Sequence, residues 1–305
     1  MRVLLTGATG FVGRHAASAL TARGHFVSCM VRLGSERRLV LPDRARSERV
    51  SGDVTDSDSL FRKPLGCDAV VSLAGIAREV PGEGQTFERV HVEGVRNLLA
   101  ACLEAGVGRI VHVSALRASP QAAHPYRRTK FAGEEEVRAS PLRWTILRPS
   151  LVYGPGSPAL RWLRRLTYGA PILPVLVPAP STRLSPIWVG DLAEGIAACL
   201  DRTQTEGKTL EAAGPAPVTM RELAGAVARA RGVPHWKIGV SADLARTAVR
   251  LVSGLPWLGD PPGALDLLGE DHAADPGPFA EATGVRLTPL AGGLRLGSGR
   301  AAPGG

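Results

Sequence analysis

Near its start this chain carries Thr6-Gly7-Ala8-Thr9-Gly10-Phe11-Val12-Gly13, set between two segments of opposite periodicity. Residues 2–6 are a continuous apolar run, which predicts a buried strand. Residues 11–23 place Phe11, Val12, Ala16, Ala19 and Leu20 at helical spacing, and Gly24 closes them as a helix C-terminus would. Glycines at 7, 10 and 13 permit a tight turn, close approach of backbone to a pyrophosphate, and close helix–strand packing. The helix that follows offers free N–H groups and the positive end of its dipole to an anion. A plain glycine-rich turn is the alternative, and the position between strand and helix argues against it. Gly7, Thr9, Gly10, Phe11, Val12 and Gly13 are therefore candidate cofactor contacts.

The same alternation continues to about residue 150. Further strands are expected over 26–31, over a short run between Val50 and Val54, and over 69–73, 109–114 and 144–147, the last ended by Pro149. Helices are expected over 87–104, closed by Gly106, and over 126–138. Strands with continuous apolar runs need both faces covered, so the fold class is α/β with a doubly wound parallel sheet. After Pro149 the chain becomes proline-rich through residue 186. One more strand and helix are expected over 184–188 and 191–200, a strand over 207–213, and helices over 219–231 and 241–253. Thr219 is the expected N-cap, with Glu222 three residues on. The domain reading is a dinucleotide-binding domain over 1–152 and 183–213, a small substrate-binding domain over 153–182 and 214–292, and a flexible tail over 293–305.

The end of the second strand bears on cofactor choice. An Asp or Glu there would hold a ribose 2′-hydroxyl. This chain has Arg32, with Arg37 and Arg38 close behind, and Arg32 and Arg37 are the candidate contacts. A guanidinium fits a 2′-phosphate bidentately and stacks on adenine, so NADP(H) is favoured and NAD(H) is the alternative. The formal net charge is +9, and residues 1–50 hold nine Arg against three acids. The positive field is local to this half of the candidate site. Asp53 and Val54 are positioned to edge the adenine. Ala74 and Gly75 are small enough to admit the cofactor ribose. Taken singly, each of these is equally a strand-end turn.

Tyr126 and Lys130 stand four apart, on one face of the expected helix. Ser114 ends the strand just upstream, at the edge where sites gather in such sheets. A phenol is a poor acid or base at neutral pH, and a neighbouring ammonium lowers its pKa. Tyr126 could then pass a proton to or from a substrate oxygen while Ser114 holds that oxygen and Lys130 holds the nicotinamide ribose.

Thr6–Gly13, Ser114, Tyr126 with Lys130, and Arg148-Pro149-Ser150-Leu151-Val152-Tyr153-Gly154-Pro155 together resemble the extended short-chain dehydrogenase/reductase superfamily, over residues 1 to about 230. His112-Val-Ser-Ala-Leu116 and the segments 126–134 and 144–155 look most like the atypical group related to the NADPH-binding 39-kDa accessory subunit of respiratory complex I. The resemblance implies a seven-stranded Rossmann domain, a small C-terminal substrate domain, and a Pro149 that helps orient the nicotinamide. Many relatives carry Asn where His91 stands, in support of a proton relay; a helix-surface, solvated imidazole is expected here. The resemblance implies hydride transfer to or from a carbonyl or alcohol. Its alternatives are a non-catalytic NADPH-binding accessory subunit or redox sensor, and an NAD-dependent sugar-nucleotide epimerase or dehydratase.

Tyr153, Trp162 and Arg183 are the candidate substrate contacts, with an apolar substrate suggested by the composition around them. Arg161, Arg164 and Arg165 could meet an anionic group or a membrane surface, as could Arg246 and Arg250 in the helix expected around 244–252. Peripheral membrane or respiratory-complex association is left open. A nucleic-acid partner is not expected, because no long Lys/Arg block exists. Cys29, Cys67, Cys102 and Cys199 form no CxxC and no zinc spacing with His, so no metal is expected and the thiols read as reduced. The start has no signal-peptide anatomy and no run of 18 apolar residues occurs, which places the expectation in the cytoplasm.

Overall fold

The computed structural model describes residues 1–80, 82, 84–166, 174–233, 236–241, 244 and 271–297. The chain divides into two units. Met1–Pro149, Gly190–Ala212 and Gly277–Arg286 make up the first; Ser150–Val189, Ala213–Pro276 and Leu287–Gly305 make up the second.

The first unit contains β1 (Arg2–Leu5), α1 (Phe11–Ala22), β2 (Phe26–Val31), β3 (Ser47–Ser51), α2 (Ser57–Leu60) and β4 (Ala69–Ser72). α3 (Gly94–Glu104), β5 (Arg109–Val113), α4 (Pro125–Ala139) and β6 (Arg143–Pro149) follow. A last strand, Lys208–Ala212, pairs with β6. The seven strands lie in the order β3-β2-β1-β4-β5-β6 and then 208–212, and every pairing is parallel. This is a doubly wound Rossmann sheet. Its order reverses between β1 and β4, so the loops leaving those strands turn to opposite faces and a crevice opens between them.

The apolar runs follow from this arrangement. Val3–Leu5 and every residue of β4 and β5 are buried. Leu4, Val70, Ile110 and Ile146 share one core with Leu98, Leu99 and Cys102 of α3. Each such side chain contributes about 1.5–3 kcal/mol on leaving water. Arg109 is a polar exception, as are Ser72 and His112. Arg109 is fully buried, and its guanidinium donates to the carbonyls of Ile110, Arg143 and Cys199 and to the hydroxyls of Thr145 and Thr205. Those bonds fasten the segment after residue 190 to the sheet.

The single helix expected over 87–104 contains a π-helical turn, Arg89–Glu93, ahead of α3. Such turns mark an inserted residue and often a functional position. Gly133 of α4 lies against it so closely that a Cβ there would overlap the His91 carbonyl.

The second unit contains only small ladders among the described residues. Val152–Tyr153 pairs with Ile187–Trp188, Arg183–Leu184 with Val218–Thr219, and Val175–Pro178 with Lys237–Val240. The helices Pro158–Leu166, Met220–Ala230 and Leu290–Leu296 belong to it. Thr219 and Glu222 form the expected capping box.

Three expectations are corrected. The strand over 184–188 is two short strands in different ladders, and the return to the first unit comes at Gly190, not at 183. Gly277–Arg286 belongs to the first unit, where the buried Phe279 fills the space that Gly195 leaves open. Gly293 and Leu294 are buried in the helix Leu290–Leu296, so residues 293–296 are not a tail. The helix expected over 241–253, apart from residues 241 and 244, and the end of the chain from 298 lie outside the described residues. Among the described residues no helix is long and apolar enough to cross a membrane.

Candidate active site

The crevice is shaped first by backbone. Thr6 is buried at the end of β1, and its Oγ1 accepts the N–H groups of Leu73 and Ala74, each at 3.1 Å. That pair of bonds sets the loop after β4 beside the glycine loop. Gly7 has φ +66°, and a Cβ there would come within 2.7 Å of the Leu73 carbonyl group. A Cβ on Gly13 would overlap the Gly7 carbonyl oxygen, so α1 can lie this close to β1 only with glycine. α1 starts at Gly10 with no side-chain cap and no acid in its first turn, which leaves its N–H groups open to an anion.

A cavity of about 280 Å³ lies in this crevice. Gly7, Thr9 and Gly10 line it, as do Arg32, Asp53, Val54, Ala74 and Gly75. Phe11, Val12, Gly13, Arg37, Lys130 and Pro149 are not among its walls. Arg38 is a wall where Arg37 was expected, and the sequence reading did not select it. The 3₁₀ turn Glu36–Arg38 aims successive side chains apart, so proximity in sequence did not identify the inward one. Asp53 commits Oδ1 to the N–H and hydroxyl of Thr55, both at 2.9 Å. Asn97, another residue missed from sequence, donates to the Val54 carbonyl at 3.0 Å and holds this rim in place. Its only sequence signal is its position on the inward face of α3.

Ser114 follows β5 directly, and its N–H donates to Leu147 of β6. Its hydroxyl is buried and meets no hydrogen-bond partner among the described residues. An unpaired buried hydroxyl costs about 1–3 kcal/mol, which makes it a candidate for pairing with a ligand oxygen. Tyr126 sits in the first turn of α4. That end is fixed by Pro125 and by His124, whose Nδ1 accepts the Tyr126 N–H at 3.1 Å.

Lys130 is buried one turn on, and its Nζ donates to the Val113 carbonyl at 2.7 Å. Burial pulls its pKa down to about 8, partly offset by Glu134. The phenol of Tyr126 is pushed upward by burial, with Arg127 opposing. The expectation of a phenol lowered by Lys130 is corrected: desolvation dominates at Tyr126, and the opposing charge is Arg127.

His91 is also corrected. It is 1% exposed, not solvated. Its Nε2 accepts the Ile76 N–H at 3.1 Å, and its Nδ1 pairs with Thr129 Oγ1 at 3.0 Å. Its ring stacks on Phe87 and meets Tyr126 edge-on at 5.4 Å. Burial, reinforced by the Lys130 charge, lowers its pKa to about 2. A methyl on Gly75 would touch His91 Nε2 at 3.5 Å and Lys130 Nζ at 3.8 Å. The cavity wall at Gly75 is therefore adjacent to Lys130 and His91. Among the described residues no group of three or more His, Cys, Asp or Glu could hold a metal ion.

The three expected substrate residues are not gathered in one place. Tyr153 is fully buried and Trp162 is 8% exposed, both in the core of the second unit with Leu163, Val177 and Leu223. Tyr153 packs edge-on against Trp188 at 5.5 Å. Their apolar area is better used in that core than on a cavity wall. Arg183 is exposed on a two-residue strand, its carbonyl accepting from His272.

A sequence profile described as NAD(P)H-binding matches residues 7–160, half of the chain. The chain belongs to the NAD(P)H-binding family. Among relatives of this NAD(P)H-binding chain, ceramide reductase of Caulobacter vibrioides is 35% identical over 64% of this chain and 60% of that protein. The alpha subcomplex subunit 9 of mitochondrial NADH dehydrogenase from Mus musculus is 31% identical over 68% and 55%. 2-Alkyl-3-oxoalkanoate reductase of Stenotrophomonas maltophilia is 27% identical over 80% of each. The chain thus spans less than two thirds of the length of the first two. The crystal structure of gox2253 superposes with TM-score 0.75 at 25% identity, covering 97% of this chain and 96% of that one. UDP-glucuronic acid 4-epimerase from Bacillus cereus, in complex with UDP-glucuronic acid and NAD, gives 0.74 at 18% identity over 97% and 98%, a likeness of fold.

Proposed function

We propose that this NAD(P)H-binding chain is an NADP(H)-dependent oxidoreductase that interconverts an apolar carbonyl compound and its alcohol. The observation that carries the reading is the adjacency at Gly75: one residue lines the nucleotide cavity and stands against Lys130 and His91. The cradle fits a dinucleotide on its own geometry, since Gly7 and Gly13 have no room for a Cβ and the N-terminus of α1 is uncapped.

In this reading the glycine loop and α1 hold the pyrophosphate, and Arg32 with Arg38 hold a 2′-phosphate. Asp53 and Val54 edge the adenine, and Lys130 holds the nicotinamide ribose, with Pro149 orienting the ring. The bound nicotinamide supplies or takes the hydride. Ser114 donates its hydrogen bond to the substrate oxygen, and Tyr126 transfers the proton. A phenol pushed upward by burial is protonated at neutral pH, which suits proton donation and hence reduction of the carbonyl.

The relatives named as reductases support the reaction class. A second reading, nucleotide binding without turnover, is favoured by the engagement of Lys130 with the Val113 carbonyl. An epimerase holding NAD is disfavoured by the Arg32 and Arg38 pair.

Calorimetric titration of nucleotide-stripped protein with NADPH and, separately, NADH tests the cofactor. Tight NADPH and weak NADH binding is expected. A screen of apolar carbonyl compounds with Tyr126→Phe as control then separates the readings. Turnover that vanishes in the variant supports the reductase. Tight binding with no turnover on any carbonyl supports the binding subunit.

A further inference from the structure

We propose that His91 is a positioning residue whose two ring nitrogens fasten the wall of the nucleotide cavity, at Ile76, to the helix that carries Tyr126 and Lys130. The inference deepens the reductase reading and rests on it for the identity of the site.

The bonds define the tautomer. A backbone N–H can only donate, so the Ile76 N–H requires a bare Nε2 on His91. A neutral imidazole then carries its hydrogen on Nδ1, which donates to Thr129 Oγ1. The Thr129 hydroxyl passes its own hydrogen back to the carbonyls of Pro125 and Tyr126, both at 3.1 Å. A directed chain thus runs from Ile76, a cavity wall, through His91 and Thr129 to the first turn of α4.

Three packing features hold the ring in that orientation. Phe87, one turn earlier, stacks on it at 5.5 Å. Tyr126 meets its edge. Gly133 of α4 lies against the His91 carbonyl with no room for a Cβ, so the π-helical turn packs directly on α4. The Phe87 ring also meets Tyr126 at 5.8 Å and His124 at 6.0 Å, so four rings share one cluster.

The charged and titratable neighbours keep His91 out of proton transfer. Lys130 of α4 stands near it, and His112 of β5 lies beyond, its Nδ1 paired with Ser72 of β4 at 3.1 Å. Burial, reinforced by the Lys130 charge, depresses both imidazoles, so neither is protonated at neutral pH. A protonated His91 would also have to give up the Ile76 bond, because its Nε2 could no longer accept.

The test compares His91→Ala, His91→Asn and Thr129→Val in the full chain. Asn can accept from Ile76 and donate to Thr129, so it restores both bonds without an ionisable ring. NADPH affinity by calorimetry should fall at least tenfold in His91→Ala and remain within about threefold in His91→Asn. The ionisation of Tyr126 is read by ultraviolet difference titration against Tyr126→Phe in each background. It should move down towards the ordinary phenol value in His91→Ala, as water reaches the ring, and stay raised in His91→Asn. Thr129→Val should weaken NADPH in the same direction, and the double variant with His91→Ala should be no worse than His91→Ala alone.

Wild-type affinity and titration in His91→Ala would overturn the proposal. So would an asparagine variant that stays folded, by thermal melting, yet fails as badly as alanine. If the wild-type protein binds neither nucleotide, the reductase reading falls while the Tyr126 titration still decides the positioning role.

Discussion

The two units of this chain reach order by different routes. In the first, seven parallel strands form one sheet, and the loops beyond β1, β2, β3 and β4 line the cavity. In the second, the described ladders have two to four residues per strand, and packing among helices and aromatic rings supplies the core. A long sheet is held by backbone bonds that are indifferent to side chains, so its loop residues are free to serve a ligand. A unit with little sheet needs its large side chains for stability. Tyr153 and Trp162 look like ligand contacts by residue type, yet they are buried in that unit's core with Leu160, Leu163, Val177 and Leu223. Arginine behaves similarly: Arg109 is consumed by the fold, whereas Arg32 and Arg38 face the cavity.

The sharpest way to break this contrast is Tyr126→Phe. On a carbonyl substrate it should lower kcat about a hundredfold or more while NADPH affinity stays within about twofold. Unchanged turnover would remove Tyr126 from the chemistry.

Next in size is a pair of glycine substitutions, one in each unit. Gly13→Ala forces a Cβ onto the Gly7 carbonyl and should cost about 3 kcal/mol in urea unfolding and abolish nucleotide binding. Gly293→Ala forces a Cβ onto the Tyr153 side chain. It should cost about 1–3 kcal/mol and leave NADPH affinity unchanged. Equal effects on binding would erase the distinction between ligand-facing and core-facing order.

A smaller effect is expected from Lys130. Its folded pKa is about 8, below the ordinary 10.5, so between those values the unfolded chain binds more protons. Stability contributed by this residue should therefore rise with pH through that window, by about 2 kcal/mol from pH 7 to 9.5. Urea unfolding of wild type and Lys130→Met at both pH values measures it as the part of the rise that the variant lacks. An identical rise in both proteins counts against a depressed, buried ammonium.

The smallest change tests cofactor choice. Arg32→Ala should weaken NADPH about tenfold and NADH less than about twofold, because only the former carries the 2′-phosphate. Equal losses would leave Arg32 as a general basic residue of the rim.

Much of the first unit was legible in the sequence. The continuous apolar runs of β1, β2, β4 and β5, the glycine loop, Gly24 and Gly106 each declare local backbone geometry within a few residues. Tyr126 and Lys130 share a helix face by spacing alone. The second unit was less legible, since two-residue strands leave no periodicity, and 184–188 therefore read as one strand. Within the site, Arg38 was passed over for Arg37, and Asn97 was not selected. His91 was read as solvated although Phe87 and His91, four apart, already marked a face that turns towards Tyr126.

By itself the sequence determined what depends on neighbours along the chain: the alternation of strand and helix, the glycine positions, the caps, and the presence of a dinucleotide loop. Only the tertiary structure decided which groups are buried and whom they meet. It aimed Lys130 at the Val113 carbonyl, raised the Tyr126 phenol, buried His91 between Ile76 and Thr129, and took Tyr153 and Trp162 into a core. The physical reason is range. Backbone conformation follows from steric and hydrogen-bond preferences a few residues long. Desolvation and hydrogen-bond partnership are set by groups that the fold brings together from distant parts of the chain, and those determine protonation and accessibility.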